Sequence, residues 1–163
     1  MSKPPKQPAA PAGAGPTPML ALDNQFCFAL YSASHAVTRT YKPLLDQLGL
    51  TYPQYLVMLV LWEQDGILVK DIGARLFLDS GTLTPLLKRL EANGLIDRNR
   101  DQQDERQVRI SLRPAGRALR ASALPIPEQL LCASGKQAAA LGRLRAELSA
   151  VRDDMLKSIE DGQ

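Results

Sequence analysis

The sequence predicts a mainly α fold with a small β wing. Residues 69–112 read as a short helix, a turn, a second helix and two strands joined by a charged loop. In the second helix Leu83, Leu86, Leu87 and Leu90 recur at the i, i+3, i+4, i+7 spacing of one buried face. Apolar stripes at helical spacing flank this block, from Leu22 to Tyr41 before it and from Leu141 to Ile159 after it. Together these features describe a winged helix-turn-helix domain with N- and C-terminal dimerisation helices.

Met1–Pro18 is rich in Pro, Ala and Gly and lacks an apolar h-region, so a disordered tail and no secretory signal are expected. The remainder, 19–163, reads as a single domain, with the winged helix at about 52–112 and dimerisation helices at about 20–48 and 115–160. Leu22–Asp46 is the first helix, with Leu22, Phe26, Leu30, Ala33, Val37 and Tyr41 on its stripe. Pro43 should kink or end it, and Gly49 is a stop. Thr51 is an N-cap, with Pro53 in the first turn of a helix running to about Gln64. Asp65-Gly66 closes that helix, and Ile67–Val69 forms a short strand beside the wing.

The helix-turn-helix follows as Lys70–Leu76 and about Ser80–Asn93. Pro85 fits the second helix better if Thr82 rather than Ser80 is the cap, and the sequence leaves that boundary open. The wing strands are Leu95–Arg100 and Arg106–Leu112, the latter alternating Val108, Ile110 and Leu112 on one side. Ala115–Ala123 is helical, Pro125 and Pro127 interrupt, a further helical piece ends near Cys132, and Ser134-Gly135 turns. The last helix, Lys136–Glu160, carries Leu141, Leu144, Leu148, Val151, Met155 and Ile159. That stripe either covers the chain's own core or pairs with the first helix of a second subunit. A homodimer would match the two-fold symmetry of a pseudo-palindromic operator.

Composition is that of an ordinary soluble protein: 45% hydrophobic, 23% charged and a net charge of +3 over 163 residues. No apolar run reaches the length of about 18 residues that a membrane helix needs, so no membrane role is expected and the location is read as cytoplasmic. Residues 79–113 hold seven Lys/Arg and six Asp/Glu, so DNA binding must come from where the cations sit. Ser80, Thr82, Thr84, Lys88 and Arg89 fall off the leucine face of the second helix and suit a major groove. Arg106 closes the wing loop as a candidate minor-groove finger. Asp104 is more plausibly its orienting partner than a DNA contact, since phosphates repel a carboxylate.

Two cysteines in such a chain do not make a disulfide framework, and a lone His35 gives no metal site; no cofactor is expected. Cys27 lies near the start of the first helix, where the positive end of the macrodipole favours nucleophilic chemistry. Tyr31, four residues on, shares its face. Tyr41 is fourteen residues on. At roughly 1.5 Å per residue it lies on the order of 21 Å away along the same helix. An antiparallel helix from a partner subunit could bring it near. Free cysteines are equally at home as small buried hydrophobes, and Cys132 and His35 by themselves read as packing residues.

LDNQFCFALY, YKPLLDQLGLTYPQYLVMLVLWE, LDSGTLTPLLKRLEANGLI and DERQVRISL resemble the MarR family of winged-helix regulators, and within it the organic-hydroperoxide sensors of the OhrR type. The resemblance covers about Leu20–Ile159 and includes an Asp-x-Arg wing signature, here Asp104 and Arg106. It implies that Cys27 is the sensing thiol, with Tyr41 and Tyr52 as hydrogen-bond partners from the other subunit and Tyr31 nearby. It further implies oxidation of Cys27 by organic hydroperoxide to a sulfenic acid, which some members cap with a small thiol; with Cys132 in LLCASG the two-cysteine version is expected, an intersubunit disulfide that releases DNA. The wider family offers an alternative, release by a small aromatic or phenolic ligand with Cys27 incidental. An enzyme such as a two-cysteine peroxidase is disfavoured, because no thioredoxin-like pattern or Cys-x-x-Cys is present.

Overall fold

The computed structural model describes residues 19–162. Met1–Pro18, the expected disordered tail, lies outside the described residues. The chain divides into two compact units that part between Val37 and Thr38.

In the first unit the chain forms a 3-10 turn at Leu22–Asn24 before helix α1 begins, Phe26–Asp46. The expected unbroken helix from Leu22 is therefore interrupted. Gln25 is extended, and its side-chain amide donates to the carbonyls of Met19 (2.6 Å) and Ala21 (3.2 Å). Cys27 thus stands second in α1, closer to the helix N-terminus than the sequence suggested.

Thr38–Gln163 forms the second unit, which contains the winged helix. Pro43 does not end α1: three more residues follow it, and a left-handed Gly49 (φ 65°) then turns the chain. Helix α2, Tyr52–Glu63, starts where Thr51 and Pro53 predict, and Gln54 adds a cap by accepting from the Thr51 N–H at 2.8 Å. Strand β1 (Ile67–Leu68) leads into α3 (Val69–Leu76) and then α4 (Ser80–Ala92). Strands β2 (Ile96–Arg100) and β3 (Val108–Leu112) complete an antiparallel sheet of order β1-β3-β2, with Ile67 opposite Ile110 and Ile96 opposite Leu112. Then come α5 (Pro114–Ala123), α6 (Ile126–Ser134) and α7 (Ala138–Asp161). Helix α6 runs two residues past Cys132 because Pro125 and Pro127 sit at its start, where a missing N–H costs nothing, and left-handed Gly135 ends it.

The core gathers Tyr55, Met58 and Leu61 of α2, Ile72 of α3, the α4 leucines and Ile96 and Ile110 of the sheet. Leu83, Leu87 and Leu90 are buried as expected; Leu86, predicted on the same face, is only half-buried at its edge. Helix α5 is held tightly. A methyl group at Gly116 would stand 2.1 Å from the Leu95 carbonyl oxygen, so only glycine permits the approach. The Gly116 carbonyl in turn accepts from the Trp62 indole N–H at 2.8 Å. Asp65 ties the same corner, accepting from the N–H groups of Gly66 and Leu112, both at 2.8 Å, and pairing with Arg117.

Helix α7 contrasts with this. It has no buried residue, and Leu144, Met155, Leu156 and Ile159 are all exposed. Its Arg152 guanidinium lies 4.5 Å above the ring of Phe77, a non-glycine residue in the left-handed region (φ 55°, ψ 39°) that ends α3. No helix among the described residues is long and apolar enough to cross a membrane.

Candidate nucleic-acid interface and redox site

The start of α4 differs from both caps that the sequence allowed. Asp79 is the N-cap, accepting from the Thr82 N–H at 2.9 Å and the Thr82 hydroxyl at 2.8 Å. Those two bonds, the backbone one foremost, hold its carboxyl below the usual carboxylate range. Asp79 wins because its side chain accepts both donors at once as an anion at the positive helix end. Pro85 then lies in the second turn, inside the helix. Thr84 is half-buried rather than outward-facing, and its hydroxyl donates to the Ser80 carbonyl at 2.6 Å. The hydroxyl protons of Thr82 and Thr84 are thus engaged within the helix, and each oxygen is left only with acceptor capacity. Ser80, Lys88 and Arg89 are exposed.

The wing is built on two aspartates. Asp101 is buried; its carboxylate receives the Arg109 Nε at 2.8 Å and the N–H groups of Gln103 (2.9 Å) and Asp104 (3.3 Å). Arg109 also reaches the Gly66 carbonyl, fastening the wing to the β1 turn. Asp104 accepts from the Gln107 side-chain amide at 2.9 Å and from the Arg106 N–H at 3.0 Å. The expected Asp104–Arg106 partnership therefore runs through the Arg106 backbone, leaving its guanidinium exposed at the tip. Hydrogen bonds lower both carboxyls, chiefly from the Arg109 side chain at Asp101 and from the Gln107 side chain at Asp104. Strand β3 begins at Val108 rather than Arg106 because this turn occupies 104–107.

Residues 39–121 match the family described as "Transcriptional regulator SarA/Rot". The organic hydroperoxide resistance transcriptional regulator of Bacillus subtilis is 50% identical over 127 residues, 78% of this chain and 86% of that protein. The chain belongs to the SarA/MarR family of winged-helix transcriptional regulators. The HTH-type transcriptional regulator TtmR of Methylorubrum extorquens is 52% identical over 134 residues, 82% of this chain and 69% of that protein. Reduced AbfR of Staphylococcus epidermidis bound to DNA matches with 36% identity and a TM-score of 0.70, covering 83% of this chain and 94% of its own. A disulfide form of AbfR matches with 38% identity and a TM-score of 0.58, covering 80% and 91%.

In this regulator the residues read as a redox site fall in both units. Cys27 is exposed and free in the first unit, where Tyr31, also exposed, lies tilted against His35 with ring centres 4.3 Å apart and planes 57° apart. Cys132 is likewise exposed and free, in α6 of the second unit. Tyr41 and Tyr52 come together there, 4.8 Å between ring centres. Tyr55 joins them, 5.8 Å from Tyr41, and was missed at the sequence level. Its signal was the three-residue spacing from Tyr52 on one helix. Burial first, then the neighbouring phenols, pushes the Tyr41 hydroxyl up to about 12, and burial raises Tyr52 and Tyr55 too. Such phenols keep their protons at any physiological pH, so each retains an O–H that can donate a hydrogen bond.

Proposed function

We propose that the chain acts as a homodimeric repressor that binds a pseudo-palindromic operator and lets go when organic hydroperoxide oxidises Cys27. The observation that carries this reading is an exposed, unbonded thiol at the second position of α1, in a chain half-identical to a hydroperoxide-resistance regulator. On DNA, α4 enters the major groove with Ser80, Thr82, Thr84, Lys88 and Arg89, while Arg106 reaches the flanking minor groove. The exposed apolar stripe of α7 supports dimerisation, since within its own chain no residue of that helix is fully buried.

The chemistry proceeds in two steps. The Cys27 sulfur attacks the peroxide O–O bond, giving a Cys27 sulfenic acid and releasing the alcohol. The Cys132 thiol of the partner subunit then attacks that sulfur, forming the disulfide and expelling water. In the reduced state Tyr41 and Tyr52 from the partner, with Tyr31 beside the sulfur, donate hydrogen bonds to it. A disulfide requires Cα atoms within about 7 Å, and reaching that separation moves the heads off their half-sites. Hydroperoxide is here a signal consumed once per event in a cytoplasmic regulator, not a substrate turned over by an enzyme.

A non-reducing gel with and without cumene hydroperoxide tests the scheme. The wild type should run as a covalent dimer after treatment, and Cys132→Ser should not. Absence of the wild-type dimer removes Cys132 from the mechanism. One feature favours ligand gating as a second reading: a groove of about 190 Å³ between α2, α5 and α6, lined by Tyr55, Trp62 and Arg120. Release of DNA from Cys27→Ser by an aromatic carboxylate would select that reading.

A further inference from the structure

A second concave surface lies between the helix-turn-helix and the wing. It is a cleft of about 240 Å³, lined by Lys70 of α3, Ser80 and Thr84 of α4, and Arg98, Arg106 and Gln107 of the wing. Its lining carries three cations and no carboxylate. Lys70 is exposed; Arg98 is half-buried and leans on Glu91 at 3.4 Å through Nη1. Arg98 Nε is buried without a hydrogen-bond partner; Gln107 Oε1 is too, but as an acceptor it adds nothing to the hold on an anion. Like charges converge here with donor capacity unused, which is the electrostatic signature of a seat for an anion.

The geometry names the anion. A helix in the major groove and a fingertip in the adjoining minor groove are separated by one sugar-phosphate strand, so the cleft between α4 and the wing must receive that strand. We infer that the cleft grips a DNA backbone phosphate through Lys70 and Arg98, residues outside both the α4 reading face and the wing tip. The inference rests on the DNA-binding reading above and adds to it a fixed point of register. Helix and wing are positioned by the strand held between them, so a site whose groove width displaces that phosphate binds more weakly without any change of base contact.

The dependence of operator affinity on salt tests this. Wild type must first bind operator with a negative slope of log Kobs against log salt; without binding, the DNA reading itself fails. Lys70→Gln should make that slope shallower by about 1.8, one phosphate contact in each half-site of the dimer, and Lys70→Arg should restore it. Arg98→Gln should act likewise, checked by an unchanged unfolding midpoint. The distant Lys42→Gln, which loses only its exposed pair with Asp46, should leave the slope alone. Inorganic phosphate should displace DNA no better than chloride at matched ionic strength. Unchanged slopes in Lys70→Gln, or an equal change in Lys42→Gln, overturn the assignment. So does phosphate-specific displacement lost in Lys70→Gln, which would make the cleft a free-anion site instead.

Discussion

The wing-bearing head and helix α7 put their apolar side chains to opposite ends. In the head, Leu83, Leu87, Leu90, Ile96 and Ile110 are almost wholly excluded from solvent, and Asp79 and Asp101 are held by hydrogen bonds. Along α7 the leucines, Met155 and Ile159 repeat with the same regularity and bury little. Sequence periodicity is identical in kind; what differs is whether the partner surface lies in the same chain. The head covers its own apolar face, while α7 leaves much of its stripe open to solvent.

That contrast yields tests of decreasing size. Cys27→Ser should abolish hydroperoxide-triggered release while leaving operator affinity unchanged, measured by fluorescence anisotropy before and after cumene hydroperoxide. Retained release would show that the input lies elsewhere. Leu87→Ala, in the self-sufficient part, should lower stability by about 2–5 kcal/mol in urea unfolding. A loss below 1 kcal/mol would mean the head is looser than its burial implies. Ile159→Asp, on the uncovered stripe, should spare the fold and weaken self-association by about tenfold, roughly 1.4 kcal/mol, in sedimentation experiments. If instead the variant unfolds with no change in association, α7 packs on its own chain and the contrast collapses.

The smallest effect concerns acid. Asp101 and Asp104 have carboxyls lowered by their hydrogen bonds in the fold. A carboxyl depressed in this way contributes stability above its unfolded value, near pH 3.9, and loses it as pH falls through the folded value. Protection against hydrogen exchange at the Gln103, Asp104 and Arg106 amides, relative to free amides at the same pH, should therefore fall only in strong acid. Asp101→Asn should lower it already at neutral pH and flatten the pH dependence. Equal protection in wild type and variant at pH 7 would remove Asp101 as the wing's anchor.

Much of this was legible in the sequence because local signals agreed with the fold. Thr51-Tyr52-Pro53 begins a helix, Asp65-Gly66 ends one, and the leucine spacing of α4 fixes its inner face. The misses share one cause: long-range or competing partners that no local pattern encodes. Asp79 displaced Ser80 and Thr82 as the cap by taking two donors. Asp101 looks like one more loop carboxylate until Arg109 arrives from the neighbouring strand. Gln25 broke the first helix by bonding backward to Met19 and Ala21. The candidate thiol was legible from position and resemblance, yet Tyr55 joined the tyrosine cluster only when α1 and α2 packed.

Gly116 bears on how a distant chemical event reaches the wing. Helix α5 meets the start of β2 with no space for one additional carbon, while the Arg113 N–H grips the same Leu95 carbonyl at 2.9 Å. A joint of this kind has no backlash. Helix α5 cannot shift against the root of the wing without carrying Leu95 along, and β2 runs from that residue toward the tip that holds Arg106.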